Sequence, residues 1–205
     1  MPHPEDRNFL EAFLENMEVA ADAFTGNDAV KSIPVIGTAI KLCKGLDDLR
    51  SRALAAKLTK FMTAPSLQTA GAKVRLQSKL AGNSDEQAKI GEVLFLVLDR
   101  MSDMAKPKIL ADIFSAYLDN VISDATLRRL AHAIDFAFIE DIESLLQQPK
   151  LPKALGTEWK QGLVAAGLAR PVGGETFDNL GKVGYELTAL ASEFKLAYAH
   201  ANRVR

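Results

Sequence analysis

Apolar residues return at steps of three and four along most of this chain, the spacing of helices with one buried face. Residues 9–24 show it first. Phe9, Leu10, Phe13, Leu14, Met17, Ala20, Ala21 and Phe24 lie on one side, and Glu11, Glu15, Glu18 and Asp22 on the other. Thr25, Gly26, Asn27 and Asp28 break that helix. Pro34 suits a first helical turn, where its missing N–H costs nothing. A second helix is predicted over 35–62, with Leu42, Leu46, Leu49, Ala53 and Ala56 as its stripe. Pro65 restarts a third helix that runs to residue 80. Ser84 with Gln87 three positions later has the form of a capping box, so a fourth helix starts there. The run 93–98 is apolar on every side. It is read as the centre of a helical bundle rather than a strand, because helical spacing continues to Met101. Lys106 and Pro107 open a fifth helix carrying Ile109, Leu110, Ile113, Phe114, Tyr117 and Leu118, which Asp119 and Asn120 end. Ser123 caps the longest cleanly periodic predicted helix, 123–148. Leu127, Leu130, Ala131, Ile134, Phe138, Ile142, Leu145 and Leu146 keep its period for about seven turns.

The pattern changes after Pro149. A helix from Thr157 reaches Gly167, a residue suited to a C-terminal cap. Residues 168–172 read as a strand, and 173–181 as a loop too long for a tight hairpin. Val183, Tyr185 and Leu187 alternate and share one face of a returning strand. Thr188 caps a last helix whose apolar residues are Leu190, Phe194, Leu196, Ala197 and Tyr198.

Helix, strand, loose loop, strand and helix over 155–200 resemble the back half of a winged helix. In that pattern L-x-x-x-G-L precedes the wing, here Leu163 to Leu168, and Y-x-L-T follows it, here Tyr185 to Thr188. The preceding chain resembles bacterial helical proteins that bring no known activity. The winged-helix resemblance implies binding to nucleic acid or protein without catalysis. It implies a recognition helix with Trp159, Lys160 and Gln161, preceded by Lys153, and a wing flanked by Arg170 and Lys182. The expected class is mainly α: a multi-helix bundle with a small C-terminal winged-helix-like module containing a two-stranded β-hairpin. The expected division is a helical bundle over 1–149 and the module over 150–205, with the helix 123–148 available to both.

Charge adds one feature. The net charge is −1 over the 205 residues, but it is segregated. Residues 1–30 carry −6, 31–80 carry +8, 81–149 carry −6 and 150–205 carry +3. Lys41, Lys44, Arg50, Arg52, Lys57 and Lys60 form a basic patch. Beside Ile33, Val35, Ile36 and Ile40 it could lie on an anionic membrane, or it could be neutralised by acidic segments of the same fold. A membrane-associated effector using 31–62 is the alternative to a winged-helix binding protein. For duplex DNA, Lys160 and Gln161 have the right chemistry, whereas Glu158, Glu175 and Asp178 would repel phosphate. A protein partner or self-association is the first expectation, DNA the second and an anionic membrane the third.

Chemistry narrows little further. Cys43 is the sole cysteine, so no intramolecular disulfide or cysteine-based zinc site can form. Its apolar neighbours make it a packing thiol. His3, His132 and His200 are far apart, with no carboxylate spacing for a metal, and His132 is read as structural. No serine nucleophile elbow or phosphate loop is present. No catalytic residue, cofactor, metal or small-molecule substrate is therefore expected. A hydrolase within 81–149 would need a pocket of convergent acids. Residues 1–30 lack the order of a secretory signal and no apolar run reaches membrane-spanning length, so a cytoplasmic bacterial regulatory or accessory factor is expected.

Overall fold

The computed structural model describes residues 49–80, 84–147, 157–173 and 183–204. The predictions for 9–24, for Cys43 and for the first part of the 35–62 helix lie outside them. The chain divides into two compact units between Arg100 and Met101. The expected boundary at 149/150 falls inside the second unit.

The first unit contains α1 (Leu49–Met62), α2 (Pro65–Gln68), α3 (Ala70–Leu80) and α4 (Ser84–Arg100). On α1 the buried face is Lys57, Leu58, Phe61 and Met62, while Ala53 and Ala56 are half-buried. The predicted third helix is split, because Thr69 is extended (φ −67°, ψ 146°). Its hydroxyl accepts from the Ala72 N–H at 3.1 Å, which caps the new start. Helix α4 packs on α1 and α3. It buries Ile90, Leu94, Val97 and Leu98, a helical stripe, so the 93–98 run is helical as expected. Leu96, on its other side, is exposed.

The second unit is built on α5 (Lys106–Leu118), of which every residue but Lys108 is buried. Helices α6 (Asp124–Phe136) and α9 (Ala189–Val204) both pack against it. On α6 the Ser123 hydroxyl accepts from the Thr126 N–H at 3.1 Å, the predicted cap. On α9 the inner face is Ala191, Phe194, Ala197 and Ala201, all fully buried. Three alanines there let two helix backbones approach, and Phe194 fills the space between them. His200 near the end of α9 pairs with Asp119 at the end of α5, Nε2 to Oδ2 at 2.7 Å.

The predicted helix 123–148 is two helices. Ala137 is extended (φ −71°, ψ 150°), and α7 (Ile139–Gln147) starts two residues later. The break redirects the chain so that α7 packs on α8 (Thr157–Ala165). Phe138, which an unbroken stripe would bury, is 71% exposed instead.

Helix α8 ends in a Schellman motif. Gly167 has φ 73°, its N–H donates to the Val164 carbonyl at 2.9 Å, and the Leu168 N–H donates to the Leu163 carbonyl at 2.8 Å. Leu163 and Leu168, the apolar pair of that motif, are both fully buried. The chain then enters β1 (Ala169–Gly173), antiparallel to β2 (Val183–Leu187), with Arg170 opposite Glu186 and Pro171 opposite Tyr185. Pro171 is tolerated because, among the described residues, the sheet has two strands and β1 is an edge. Thr188 joins the hairpin to the helices. Its N–H donates to the Leu168 carbonyl at 3.1 Å, its hydroxyl donates to the Gly167 carbonyl at 2.8 Å, and that hydroxyl accepts from the Ala191 N–H at 3.2 Å.

A Cβ at Gly167 meets no steric obstacle, so its cost is backbone strain alone. Gly167→Ala is expected to lower stability by about 1–2 kcal/mol in chemical denaturation, the left-handed penalty for an L-residue. An unchanged midpoint contradicts this account of the turn.

Candidate interaction site

The predicted recognition helix is α8, and its packing against α7 and β1 defines what it can present. Gln161 on it is exposed, Leu163 is buried, and Val164 is half-buried. Trp159 and Lys160 lie within α8, but their side chains are outside what the structure describes. So are Lys153 and Lys182. Gly162 faces α7, and a Cβ there would stand 2.4 Å from Asp141 Oδ2. A side chain at this position would have to displace the Asp141 carboxylate.

Asp141 is itself buried. Burial, and after it the charge of Glu140, hold its carboxyl above the usual aspartate range. Lys106, at the start of α5, is buried too, and its Nζ donates to the Asp135 carbonyl at 2.8 Å. Burial lowers its pKa from the ordinary lysine value, while Asp135, Asp103 and Glu140 act the other way.

Arg170, the expected wing cation, is exposed and forms an ion pair with Glu186 across the hairpin. The register makes the two residues directly opposite. The pair leaves this end of the hairpin without net charge. The structure thus places Gln161 and Arg170 on one continuous helix–turn–strand segment, as expected. It adds Glu186, which changes what Arg170 can do.

The basic patch is not one face. Lys57 is buried, and its Nζ donates to the Asp99 carbonyl at 2.9 Å. Lys60, three residues later, is exposed. Arg50 and Arg52 lie on α1, and Lys41 and Lys44 lie outside the described residues. Lys57 therefore leaves the set of outward cations, because its ammonium closes the α1–α4 interface instead. His132, expected to be structural, is exposed on α6.

Several features escaped the sequence pattern. Phe136 and Phe138 flank the Ala137 break and are 76% and 71% exposed. Phe138 continues the apolar face of the predicted 123–148 helix, so only the break reveals it, whereas Phe136 lies opposite that face. Asp119 and His200 are 81 positions apart, and no local signal links them. Among the described residues, no group of three or more His, Cys, Asp or Glu is placed to hold a metal ion. Among them too, no helix is long and apolar enough to cross a membrane. No protein-family model, curated protein or solved structure matches this chain.

The raised pKa of Asp141 has a pH consequence of defined sign. A folded state that disfavours the carboxylate loses stability as pH rises from the ordinary aspartate value, about 3.9, through the higher folded value. Asp141→Asn removes that loss. Its urea midpoint is expected to exceed the parent's at pH 7, with the gap closing on acidification below about pH 4. A gap independent of pH contradicts the assignment.

Proposed function

We propose that the second unit is a non-catalytic interaction module of winged-helix type, and that it engages a protein rather than a DNA duplex. The order of helices α6, α7 and α8, hairpin and closing helix α9 supports the winged-helix reading. In that reading α8 is the recognition helix and β1–β2 the wing. The chain is then a cytoplasmic bacterial regulatory or accessory factor.

The observation that carries the choice of partner is the Arg170–Glu186 pair. A duplex reader needs wing cations free to neutralise phosphate, and each such contact releases counterions. Arg170 is already matched by a carboxylate on its own hairpin. Glu140 and Glu143 are exposed on α7, the helix that packs on α8. They add negative charge to the helix beside α8. Protein interfaces tolerate this arrangement, because a paired Arg–Glu at a rim orients a partner without requiring phosphate.

A photo-reactive residue placed at Gln161 or Pro171, both exposed, tests the reading in cells producing the chain. A discrete protein adduct is expected. An adduct that nuclease removes, or none at either position, contradicts it. Purified protein is also expected to show no salt-sensitive binding to a labelled random duplex between ~50 and ~200 mM salt. Duplex binding that weakens many-fold over that range overturns the protein reading.

A further inference from the structure

The corner between α6 and α7 presents two aromatic rings to solvent. Phe136 is 76% and Phe138 71% exposed, more than any other exposed large apolar residue among those described. Ala137 between them is extended and buried. Ala137 packs inward while the phenyl rings on either side of it stand in solvent.

The corner is held rigidly. The Ala137 N–H donates to the Ala133 carbonyl at 2.9 Å, and the Ile142 N–H donates to the Phe138 carbonyl at 3.1 Å. Lys106 reaches from α5 to the Asp135 carbonyl and pins the residue just before the rings. Phe138 also lies beside α8, its Cδ2 4.0 Å from where a Cβ on Gly162 would stand. With the backbone held on both sides of the rings, docking there has little chain left to order.

The charges around the rings are acidic. Asp135, Asp103 and Glu140 are the groups whose charges act on Lys106, whose ammonium is itself buried, while Lys108 is exposed. Glu140 and Glu143 are exposed on α7. The cation-forming groups of α6 nearest in sequence, His132 and Arg129, lie one and two turns back from Phe136. An apolar patch rimmed by carboxylates complements a basic partner. It repels nucleic-acid phosphate and anionic lipid. It also disfavours a second copy of this chain docking corner to corner, because a two-fold contact would set Glu140 and Glu143 against themselves.

We infer that the α6–α7 corner docks a basic amphipathic segment of a partner protein, with apolar side chains on Phe136 and Phe138 and Lys or Arg against Glu140 and Glu143. This rests on the protein-binding reading of the module and names the partner's chemistry. Burying two phenyl rings fits the helix-in-groove mode at the small, weak end of interfaces.

The probe is a labelled synthetic peptide with Leu and Lys at amphipathic helical spacing, titrated with the full chain by fluorescence polarisation. Its counterpart carries Glu in place of Lys. The Lys peptide is expected to bind, with affinity falling as salt rises, and the Glu peptide is not. The double variant Phe136→Ser, Phe138→Ser is expected to weaken binding about tenfold or more. Its thermal midpoint should stay close to the parent's, since both rings are exposed. If that variant does not fold, Glu140→Gln with Glu143→Gln serves instead, and is expected to weaken binding and flatten its salt dependence. Equal binding of the Lys and Glu peptides, or no binding of either, overturns the inference. So does a folded variant that binds as the parent does, although a partner trapped at Gln161 or Pro171 would still uphold the module's protein-binding role. Salt-sensitive duplex binding would remove that role regardless of the peptide result.

Discussion

The Thr188 junction fixes most of what the second unit can present. An isolated two-stranded hairpin is marginal in water. Here both strands leave one node. The backbone of Thr188 ties β2 to Leu168, its hydroxyl ties it to Gly167, and the same hydroxyl caps α9 through Ala191. Gly167 must take a left-handed conformation for those carbonyls to point at Thr188. From that node the strand register follows, and so does the start of α9. With its start fixed, α9 lays Ala191, Phe194, Ala197 and Ala201 along α5. Full burial of a side chain like Phe194 contributes roughly 1.5–3 kcal/mol. The hairpin is thus an extension of a helical core rather than an appended ribbon.

The features legible in the sequence are those that local chemistry decides. Ser123, Gly167 and Thr188 act as caps within a few residues of themselves, and each sits where its type predicts. The hairpin was legible because alternation and a glycine-rich gap are local patterns, and β1 begins within a residue of its expected start. The break at Ala137 was not legible. Apolar spacing runs unbroken through Phe138, and only the packing of α7 on α8 makes a turn there preferable to a continuous helix. Lys57 was misplaced for a related reason. A lysine stem buries well, and whether its ammonium meets water or a carbonyl depends on a partner 42 residues away. Arg170 lies on the expected first strand of the hairpin, but its pairing is decided by register, which a loop of unspecified path does not reveal.

Electrostatics and packing point to the same kind of surface. The hairpin's exposed cation is paired, the exposed side of α7 is acidic, and two aromatic rings stand at the corner between α6 and α7. The close approach of α7 and α8 at Gly162 sets Phe138 beside the proposed recognition helix. That approach is made over a buried Asp141 whose ionisation the fold resists. The surface proposed for a partner is therefore built on helices held close together, which limits how far it can adjust.

Residue-resolved native-state hydrogen exchange tests the central claim most directly. The amides of Leu168, Thr188 and Ala191 all donate within the junction, and that of Leu110 lies in the fully buried middle of α5. If the hairpin is part of the core, all four open with the same free energy, that of unfolding the second unit. Exchange of Leu168 and Thr188 near the unprotected rate, with Leu110 still protected, would show a ribbon that frays independently and would contradict the account.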